Sequence, residues 1–269
     1  MKVGVLANPN LPKSAGIVKQ VISFFEERKI ELELETAIAK KFGRRGVPLS
    51  KMESAVLVTV GGDGTVLRAL QETHSRVLSI NAGEVGFLTE IPPSEISIKL
   101  AQFVAGKYFI DKRIRLKAML NKRRLHDSLN EAVVHTAQIS KMRSFKVWVD
   151  DVLTMDLRAD GIIVATPTGS TCYSMSAGGP IIDPDVEALV IAPLAPFKPS
   201  MRPLVVPADS EITIKLGHRK DCLLVLDGQH YEEIGSDSVL TFSKSERDAE
   251  LIRFEEDFYA RLHEKLGML

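Results

Sequence analysis

The stretch AVLVTVGGDGTVL, residues 55–67, decides the first half of the fold. It opens with a continuous apolar run rich in β-branched residues, which is typical of a strand that is covered on both faces. Three glycines and Asp63 follow, and Val66, Leu67 and Leu70 then resume the spacing of a helix. Strand, glycine-rich turn and helix in this order predict one corner of a parallel α/β sheet, and such sheets bind ligands at the carboxyl edge of their strands.

Strand and helix signals alternate on both sides of this corner. Lys2–Ala7 is a short apolar run that ends at an Asn-Pro break, and Ser14 can cap a helix whose apolar positions follow helical spacing. Ile30–Glu35 alternates apolar and acidic residues, and Arg76–Asn81 is a further strand-like run. We therefore expect residues 1–100 to form a Rossmann-like α/β domain that carries the GGDGT loop.

The pattern changes near Lys112, after which short apolar runs are separated by turn signals. About nine such runs predict a β-sandwich-like domain over residues 101–243, interrupted by one helix that begins near Thr168. Residues 244–269 contain a strand-like run and an amphipathic helix that ends at Gly267, and we expect this segment to return to the N-terminal domain. The predicted strands are Ile114–Leu120, Glu131–Thr136, Phe145–Val149, Gly161–Thr166, Ala188–Leu194, Pro203–Val206, Glu211–Leu216, Cys222–Leu226, Val239–Phe242 and Glu250–Phe254.

Composition limits the partners and the compartment. The 269 residues include 35 Lys and Arg and 35 Asp and Glu, so the formal net charge is zero and we expect neither nucleic acid nor a membrane as a partner. The longest apolar run, residues 188–197, is about half of a membrane span, and the N-terminal residues lack a signal-peptide pattern, so we expect a cytoplasmic protein. Only Cys172 and Cys222 are cysteines, and no histidine pair has metal-ligand spacing, so we predict no disulfide framework and no protein-built metal site.

The GGDGT loop has the chemistry of an anion-binding turn with a base inside it. Its glycines let a phosphate approach the backbone, and the N-terminus of the following helix offers free N–H groups and a partial positive charge. A carboxylate in such a loop repels phosphate, and this cost is explained if Asp63 accepts a proton from a hydroxyl that attacks the phosphate. The alternative is a strand–turn–helix corner in which Asp63 only caps the helix, and the loop alone leaves both open.

Two other segments place polar groups at the ends of predicted strands. ADGIIVATPTGSTCYSMSAGGP, residues 159–180, runs from a buried strand through a Thr-Pro turn into a helix start rich in small hydroxyl residues. These groups can bind phosphate or ribose, or can cap a closely packed helix. Asn130 and Glu131 stand at the head of a strand, where an amide and a carboxylate can grip the edge of an adenine. The alternative for this pair is a turn with a solvated carboxylate.

The three segments together resemble the NAD kinase family. GGDGT at 61–65, NE at 130–131, DG at 160–161, TPTGSTCYS at 166–174 and AGGP at 177–180 follow in that family's order and spacing. The NE and TPTGSTxYS elements separate this family from the lipid kinases and phosphofructokinases, which share or approximate the GGDG loop. The APLAPF run that ends strand 188–194 is closer to the archaeal members, and a cysteine stands where the family usually has alanine in TPTGSTxYS.

The resemblance implies a set of site residues. Asp63 corresponds to the proton acceptor, the Asn-Glu pair to contacts with the dinucleotide, and residues 171–176 to the lining of the adenosine pocket. Asp160 and Arg158 correspond to contacts with the second half of NAD, across a subunit interface in an oligomer. Arg68, one helical turn after the loop, can meet the donor phosphate or be an ordinary surface arginine. The residues implied to contact ligand are Asp63, Gly64, Arg68, Asn130, Glu131, Lys141, Arg158, Asp160, Thr171, Cys172, Tyr173, Ser174, Met175, Ser176 and Gln229.

The resemblance also implies a reaction. A phosphotransferase of this kind moves the terminal phosphate of ATP, or of polyphosphate, to the 2′-hydroxyl of the adenosine ribose of NAD, which gives NADP. It implies NAD bound between the two domains, Mg²⁺ or another divalent metal on the donor phosphates, and a homodimer or homotetramer. Two alternatives stay open: a diacylglycerol- or sphingoid-type lipid kinase, disfavoured by the hydroxyl-rich residues 168–176, and a non-catalytic NAD(H)-binding sensor, disfavoured by Asp63.

Overall fold

A computed structural model describes residues 1–83, 86–138, 141–217, 222–256 and 258–267, so that Asp257 of the C-terminal segment lies outside the described residues. Its contacts divide the chain into two units, residues 1–112 with 249–269 and residues 113–248. None of the described helices has the length and apolar content that crossing a bilayer requires.

The described elements are numbered in chain order. The strands are β1 (Lys2–Ala7), β2 (Glu31–Leu34), β3 (Val56–Gly61), β4 (Arg76–Asn81), β5 (Phe109–Arg113), β6 (Leu116–Leu120), β7 (Arg123–Arg124), β8 (Glu131–Thr136), β9 (Arg143–Val149), β10 (Val152–Ala159), β11 (Gly161–Ala165), β12 (Ala188–Leu194), β13 (Leu204–Pro207), β14 (Ile212–Leu216), β15 (Cys222–Leu226), β16 (His230–Ile234), β17 (Val239–Lys244) and β18 (Ala249–Arg253). The helices are α1 (Ser14–Glu27), α2 (Thr36–Lys41), α3 (Asp63–Glu72), α4 (Ile96–Val104), α5 (Tyr173–Ser176) and α6 (Phe258–Leu266).

The first unit is built on a six-stranded sheet in the order β2-β1-β3-β4-β18-β5. The pairs of β1 with β2, β1 with β3, β3 with β4 and β4 with β18 are all parallel. All six residues of β3 are buried, as expected for a central strand of a parallel sheet. Helix α1 buries Ile17, Val18, Val21 and Phe25 against this sheet's apolar core. The sheet therefore places the GGDGT turn at the carboxyl end of a fully buried strand.

The start of α1 differs from its predicted cap. Lys13 occupies the N-cap position and makes no side-chain cap, while Ser14 is the first helical residue, with a buried hydroxyl that has no hydrogen-bond partner among the described residues. The prediction of Ser14 as the cap is therefore wrong by one position. The reason is that the preceding turn carries its own backbone bond, from Ser14 N–H to the carbonyl of Leu11, and this bond starts the helix early.

The second unit is a sandwich of two antiparallel six-stranded sheets, in the orders β10-β9-β14-β17-β6-β7 and β13-β12-β11-β8-β15-β16. Alternate residues of the first sheet, such as Phe145 and Phe242, share one core with residues of the second sheet, such as Val134 and Ile162. The prediction of an α/β domain followed by a β-sandwich-like domain is thereby confirmed. The second sheet is also covered on its other face, because Val133, Ile163 and Ala165 belong to a separate apolar cluster.

Several local features of this second unit were not predicted. Strand β10 follows β9 through a tight turn and alternates inward Met155 and Leu157 with outward polar residues, a pattern that the sequence does carry. Strand β16 completes a hairpin with β15. The helix expected near Thr168 is a 3₁₀ turn over Thr168–Thr171 followed by the four-residue α5, because Cys172 interrupts the helix with a non-helical ψ of −131°.

Candidate active site

Asp63 begins helix α3, and its side chain turns toward another loop of the first unit. Gly62 is the N-cap residue of α3 and no side chain caps this helix, so the reading of Asp63 as a helix cap is wrong. The carboxylate instead accepts three backbone hydrogen bonds: Oδ2 from the N–H of Phe87 at 2.8 Å, and Oδ1 from the N–H groups of Leu88 at 3.0 Å and Thr89 at 3.2 Å. The base candidate is therefore held rigidly, without side-chain partners among the described residues.

The contact between Asp63 and this loop depends on a glycine. A Cβ atom placed on Gly86 would lie 1.7 Å from Oδ1 of Asp63, which is far inside van der Waals contact. Only glycine lets the loop backbone close on the carboxylate at this point. A carboxylate has about four lone-pair positions, and the described residues occupy two on Oδ1 and one on Oδ2. One position on Oδ2 is thus left to accept a hydroxyl.

Arg68 lies one turn further along α3 and forms an ion pair inside the first unit. Its Nη2 is 3.6 Å from Oε1 of Glu35. Glu35 is buried and also caps α2 by accepting the N–H of Ala37 at 3.0 Å. Such a half-exposed pair contributes little to stability and leaves the guanidinium able to reach a phosphate. The contact of Arg68 with a donor phosphate stays a prediction.

Asn130 and Glu131 are buried polar side chains, each with one oxygen that has no hydrogen-bond partner in the part of the chain that the structure describes. They stand at the start of β8 with only 7% and 9% of their surfaces exposed. Asn130 Oδ1 and Glu131 Oε2 have no hydrogen-bond partner among the described residues. Leaving a buried polar group unsatisfied costs about 1–3 kcal/mol. These two oxygens are therefore the strongest sign in the second unit of a ligand-binding position.

Asp227 holds Asn130 and Glu131 in place, and it is not among the site residues predicted from the sequence. Its buried carboxylate accepts the N–H groups of Leu129 at 2.7 Å, Asn130 at 2.8 Å and Glu131 at 3.0 Å. Asp227 and Gly228 both have positive φ, at 50° and 64°, in the turn between β15 and β16. An Asp-Gly pair between two apolar runs is a hairpin signal that the sequence carries. The contact with residues 129–131 has no comparable local signal.

Burial raises the pKa values of both carboxyl groups of this site, Glu131 and Asp227. Burial, followed by the negative charge of Asp227, raises the pKa of Glu131 to about 8. Burial also raises the pKa of Asp227 to about 6, against the opposing effect of the three N–H groups. At neutral pH, Glu131 is therefore mostly a neutral acid that can donate as well as accept a hydrogen bond, while Asp227 is mostly ionised.

The TPTGST segment packs directly on the Asn-Glu pair. Thr166 Oγ1 donates to the carbonyl of Leu129 at 2.5 Å and accepts the N–H of Gly169 at 3.2 Å. A Cβ on Gly169 would lie 2.1 Å from the carbonyl oxygen of Asn130, so this glycine is required for the two backbones to meet. The Asn-Glu pair and the TPTGST segment, which the sequence analysis treats separately, are therefore in direct contact.

Residues 171–176 present a mixed surface next to this unit. Thr171 and Ser174 are buried, Cys172 and Met175 are half-buried, and Tyr173 and Ser176 are exposed. The hydroxyl of Ser174 has no hydrogen-bond partner among the described residues, whereas Thr171 Oγ1 donates to the carbonyl of Thr168 at 3.3 Å. The role of these six residues in lining an adenosine pocket stays a prediction.

Asp160 precedes β11 and lies at the opposite end of that strand from the Asn-Glu pair, and Arg158 lies on β10 of the other sheet. Strand β11 pairs Ala165 with Glu131 but Gly161 with His135, so Asp160 is removed from Glu131 by the length of β11. The five residue steps from Asp160 to Ala165 span roughly 16 Å. Within the second unit, the structure therefore does not bring Asp160 to the Asn-Glu pair. Arg158, on the edge strand β10, stacks its guanidinium 5.4 Å from the ring centroid of the exposed Phe197.

Three other predicted site residues lie on exposed turns. Gly64 is exposed in the first turn of α3. Lys141 is exposed, and its carbonyl accepts a hydrogen bond from Arg143 Nη1 at 3.1 Å. Gln229 is exposed and follows Asp227 in the β15–β16 turn, with its N–H on the carbonyl of Leu226 at 2.9 Å. Gln229 is thus close in sequence to the group that anchors the Asn-Glu pair.

Comparisons with known proteins identify relatives over the whole chain. Two family models match: the ATP-NAD kinase N-terminal domain over residues 3–108 and the ATP-NAD kinase C-terminal domain over residues 129–254. The NAD kinase of Thermoplasma volcanium is 41% identical over 267 residues, which cover 99% of this chain and 98% of the relative.

Solved structures agree with these matches. An NAD kinase from Archaeoglobus fulgidus in complex with ATP is 29% identical and superposes with a TM-score of 0.80. The match covers 100% of this chain and 100% of that one. Yeast NADH kinase complexed with NADH superposes with a TM-score of 0.93 at 22% identity, over 100% of this chain and 88% of that one. The second likeness supports the fold alone.

Proposed function

The chain belongs to the NAD kinase family and has NAD kinase activity, and we propose that it transfers the terminal phosphate of ATP, or of polyphosphate, to the 2′-hydroxyl of the adenosine ribose of NAD. The observation that carries the finer proposal is the pair of buried oxygens on Asn130 and Glu131 for which the described residues supply no hydrogen-bond partner. A ligand that hydrogen-bonds both would remove the cost of burying them.

Recognition is assigned to the second unit. The Asn130 amide offers an acceptor at Oδ1, and Glu131, with a pKa of about 8, offers an acid proton at neutral pH. Together they suit an adenosine, which carries both donors and acceptors. Residues 171–176 would line the same adenosine, and Ser174 adds a buried hydroxyl without a partner among the described residues. Lys141 and Gln229 would add contacts from their exposed turns.

Chemistry is assigned to Asp63. As the ribose 2′-oxygen forms a bond to the terminal phosphorus, the bond from that phosphorus to its bridging oxygen breaks and ADP leaves when ATP is the donor. The proton of the 2′-hydroxyl passes to the lone pair of Asp63 Oδ2 that the described residues leave open. Because Asp63 is fixed by three amides, it needs no rearrangement to accept this proton. Gly64 and Arg68 would face the donor phosphates.

A divalent metal does not fit a site built from this chain's described residues. They bring together no group of three His, Cys, Asp or Glu side chains that suits a metal ion. We therefore propose that Mg²⁺ or another divalent cation is not held by protein ligands and enters bound to the donor phosphates, as part of the substrate. Because Asp160 is removed from Glu131 by the length of β11, we propose a homodimer or homotetramer in which Arg158 and Asp160 serve a partner's NAD. We further propose a cytoplasmic location.

Substrate analogues test the proposed function directly. Radiolabel from the terminal phosphate of ATP should pass to NAD, and phosphorus NMR should find the new phosphate on the adenosine 2′-oxygen alone. The analogue of NAD with 2′-deoxyadenosine should be inert, whereas 3′-deoxyadenosine in its place should still react. Phosphate on the nicotinamide ribose, or on the 3′-oxygen, would contradict the assignment.

A further inference from the structure

Two arginines of the C-terminal segment hold the loop whose amides bind Asp63. Arg253, at the end of β18, donates from Nη2 to the carbonyl of Phe87 at 3.1 Å. Arg261, in α6, donates from Nη1 to the carbonyl of Thr89. The N–H groups of residues 87–89 are those that bind Asp63. The same short loop is therefore bonded on its carbonyl side to guanidinium groups and on its amide side to the carboxylate.

One peptide group connects Arg253 to Asp63. The carbonyl of Phe87 and the N–H of Leu88 belong to the same peptide unit; the first accepts from Arg253 and the second donates to Asp63 Oδ1 at 3.0 Å. Hydrogen bonds in such a chain polarise and strengthen one another. The guanidinium is thus coupled to the carboxylate through a single peptide dipole.

The arginines are themselves fixed by two acids, the buried Glu90 and the partly buried Asp111. Glu90, with 4% of its side chain exposed, lies 2.8 Å from Arg253 Nη1 and 2.8 Å from Arg261 Nη2, and its other oxygen accepts the N–H of Phe254 at 2.8 Å. Asp111 lies 3.3 Å from Arg253 Nε. Two arginines and two carboxylates at these distances balance in charge. Because the cluster is buried and multiply bonded, it leaves the loop little freedom to move.

We infer that Arg253 and Arg261 are positioning residues for Asp63, which act by holding the 87–89 amides against its carboxylate. This inference rests on the proposed role of Asp63 as the proton acceptor. The C-terminal segment is then part of the catalytic apparatus, although neither arginine touches Asp63 itself.

A matched ion pair separates this role from simple attachment of the C-terminal segment. Lys99 of α4 lies 2.9 Å from Glu255 and places its Nζ 5.1 Å from the ring centroid of Phe254, so it also ties this segment to the first unit. No contact of Lys99 given by the structure reaches residues 86–89. Lys99→Gln therefore weakens the attachment without disturbing the amides on Asp63.

The experiment compares Arg261→Gln with Lys99→Gln, each alone and in the Asp63→Asn background. Arg261→Gln leaves Arg253 on Glu90, so this buried acid keeps one of its two arginine partners. We expect kcat to fall roughly tenfold, part of the hundredfold that a 1 Å misplacement can cost, with KM for NAD within about twofold. Lys99→Gln should keep kcat at a similar Tm. In the Asp63→Asn background, Arg261→Gln should cause no further fall, because the group it positions is gone.

Each result decides the inference. An unchanged kcat in Arg261→Gln, or an equal fall in both backgrounds, would overturn it while leaving the role of Asp63 intact. Full activity in Asp63→Asn alone would instead overturn the proposed function. If Arg261→Gln lowers the Tm far more than Lys99→Gln, Arg261→Lys replaces it, because lysine keeps the positive charge beside Glu90 and an N–H donor. Arg261→Lys should recover most of kcat in the parent background, and a change in kcat of equal size in the Asp63→Asn background would overturn the inference.

Discussion

The two polar centres of this chain differ in how they are satisfied before any ligand binds. Asp63 has three backbone amides on its carboxylate, whereas Asn130 and Glu131 keep buried oxygens without partners among the described residues. A carboxylate held by three amides is ready for chemistry, since its position is already set and the described residues leave one lone pair of Oδ2 open for a hydroxyl. A buried polar group without a hydrogen-bond partner instead makes ligand binding more favourable, because the ligand removes the cost of leaving it unsatisfied. The comparison assigns the chemical step to the first centre and affinity to the second.

Removing the base should have the largest effect. Asp63→Asn keeps the shape of the side chain but replaces one acceptor oxygen with an amide that cannot take the hydroxyl proton. We expect kcat to fall by about 10²–10⁴, the usual contribution of a general base, as measured by steady-state assay of NADP formation. Activity within about threefold of the parent would show that the chemical step does not use this carboxylate.

Displacing the base without removing it should have the next largest effect. Gly86→Ala places a Cβ where Oδ1 of Asp63 now lies, 1.7 Å away, so the loop or the carboxylate must move. A shift of about 1 Å predicts a loss of up to roughly 10² in kcat. Gly83→Ala, a glycine of the same connection with open space around its Cβ, is the matched control and should keep its kcat. Equal kcat in the two variants would contradict the account.

Changes at the second centre should act on affinity. Asn130→Ala and Glu131→Ala each remove a partner that the bound adenosine needs, at about 1–3 kcal/mol, so KM for NAD should rise roughly 5- to 150-fold. Thr154→Ala, on the exposed edge strand of the same unit, serves as the control. A collapsed kcat with unchanged KM would move the pair from recognition into catalysis.

The smallest effect concerns the pH dependence of stability without NAD. The pKa of Glu131 is raised from 4.5 to about 8, so between these values the folded protein holds a proton that the unfolded chain has released. Stability must then fall as pH rises through this window, by up to about 1.4 kcal/mol per pH unit from this group. Asp227, raised to about 6, contributes only below that pH.

Thermal unfolding at two pH values checks this prediction. Glu131→Gln should unfold at nearly the same Tm at pH 6.5 and pH 8, whereas the parent should lose stability between them. Parallel Tm changes in both proteins would show that Glu131 is not the group that titrates.

The parts of the fold that were predictable are those with local patterns. The buried run that ends in GGDGT and the short alternating strands such as Glu131–Thr136 carry their structure in neighbouring residues. The contacts that organise the site do not. Phe87 is 24 residues from Asp63, Leu129 is 98 residues from Asp227, and Arg253 is 166 residues from Phe87.

Backbone groups make most of these distant contacts, and this explains why side-chain patterns missed them. The amide of residue 88 and the carbonyl of residue 87 are present whatever the side chains are. The residue types therefore do not indicate that these backbone groups form the contacts. The exceptions are Gly86 and Gly169, where a close approach demands glycine. The site residues named from the family resemblance stay predictions until the variants above are measured.

Calorimetric titration of NAD into Asp63→Asn and Asn130→Ala tests the division of labour most directly. The account predicts that Asp63→Asn binds NAD with a Kd within about threefold of the parent while its turnover is lost. It predicts that Asn130→Ala binds NAD at least about fivefold more weakly. Weakened binding in Asp63→Asn together with parent-like binding in Asn130→Ala would contradict the central claim that the amide-held Asp63 performs the chemistry and the Asn130–Glu131 pair holds the nucleotide.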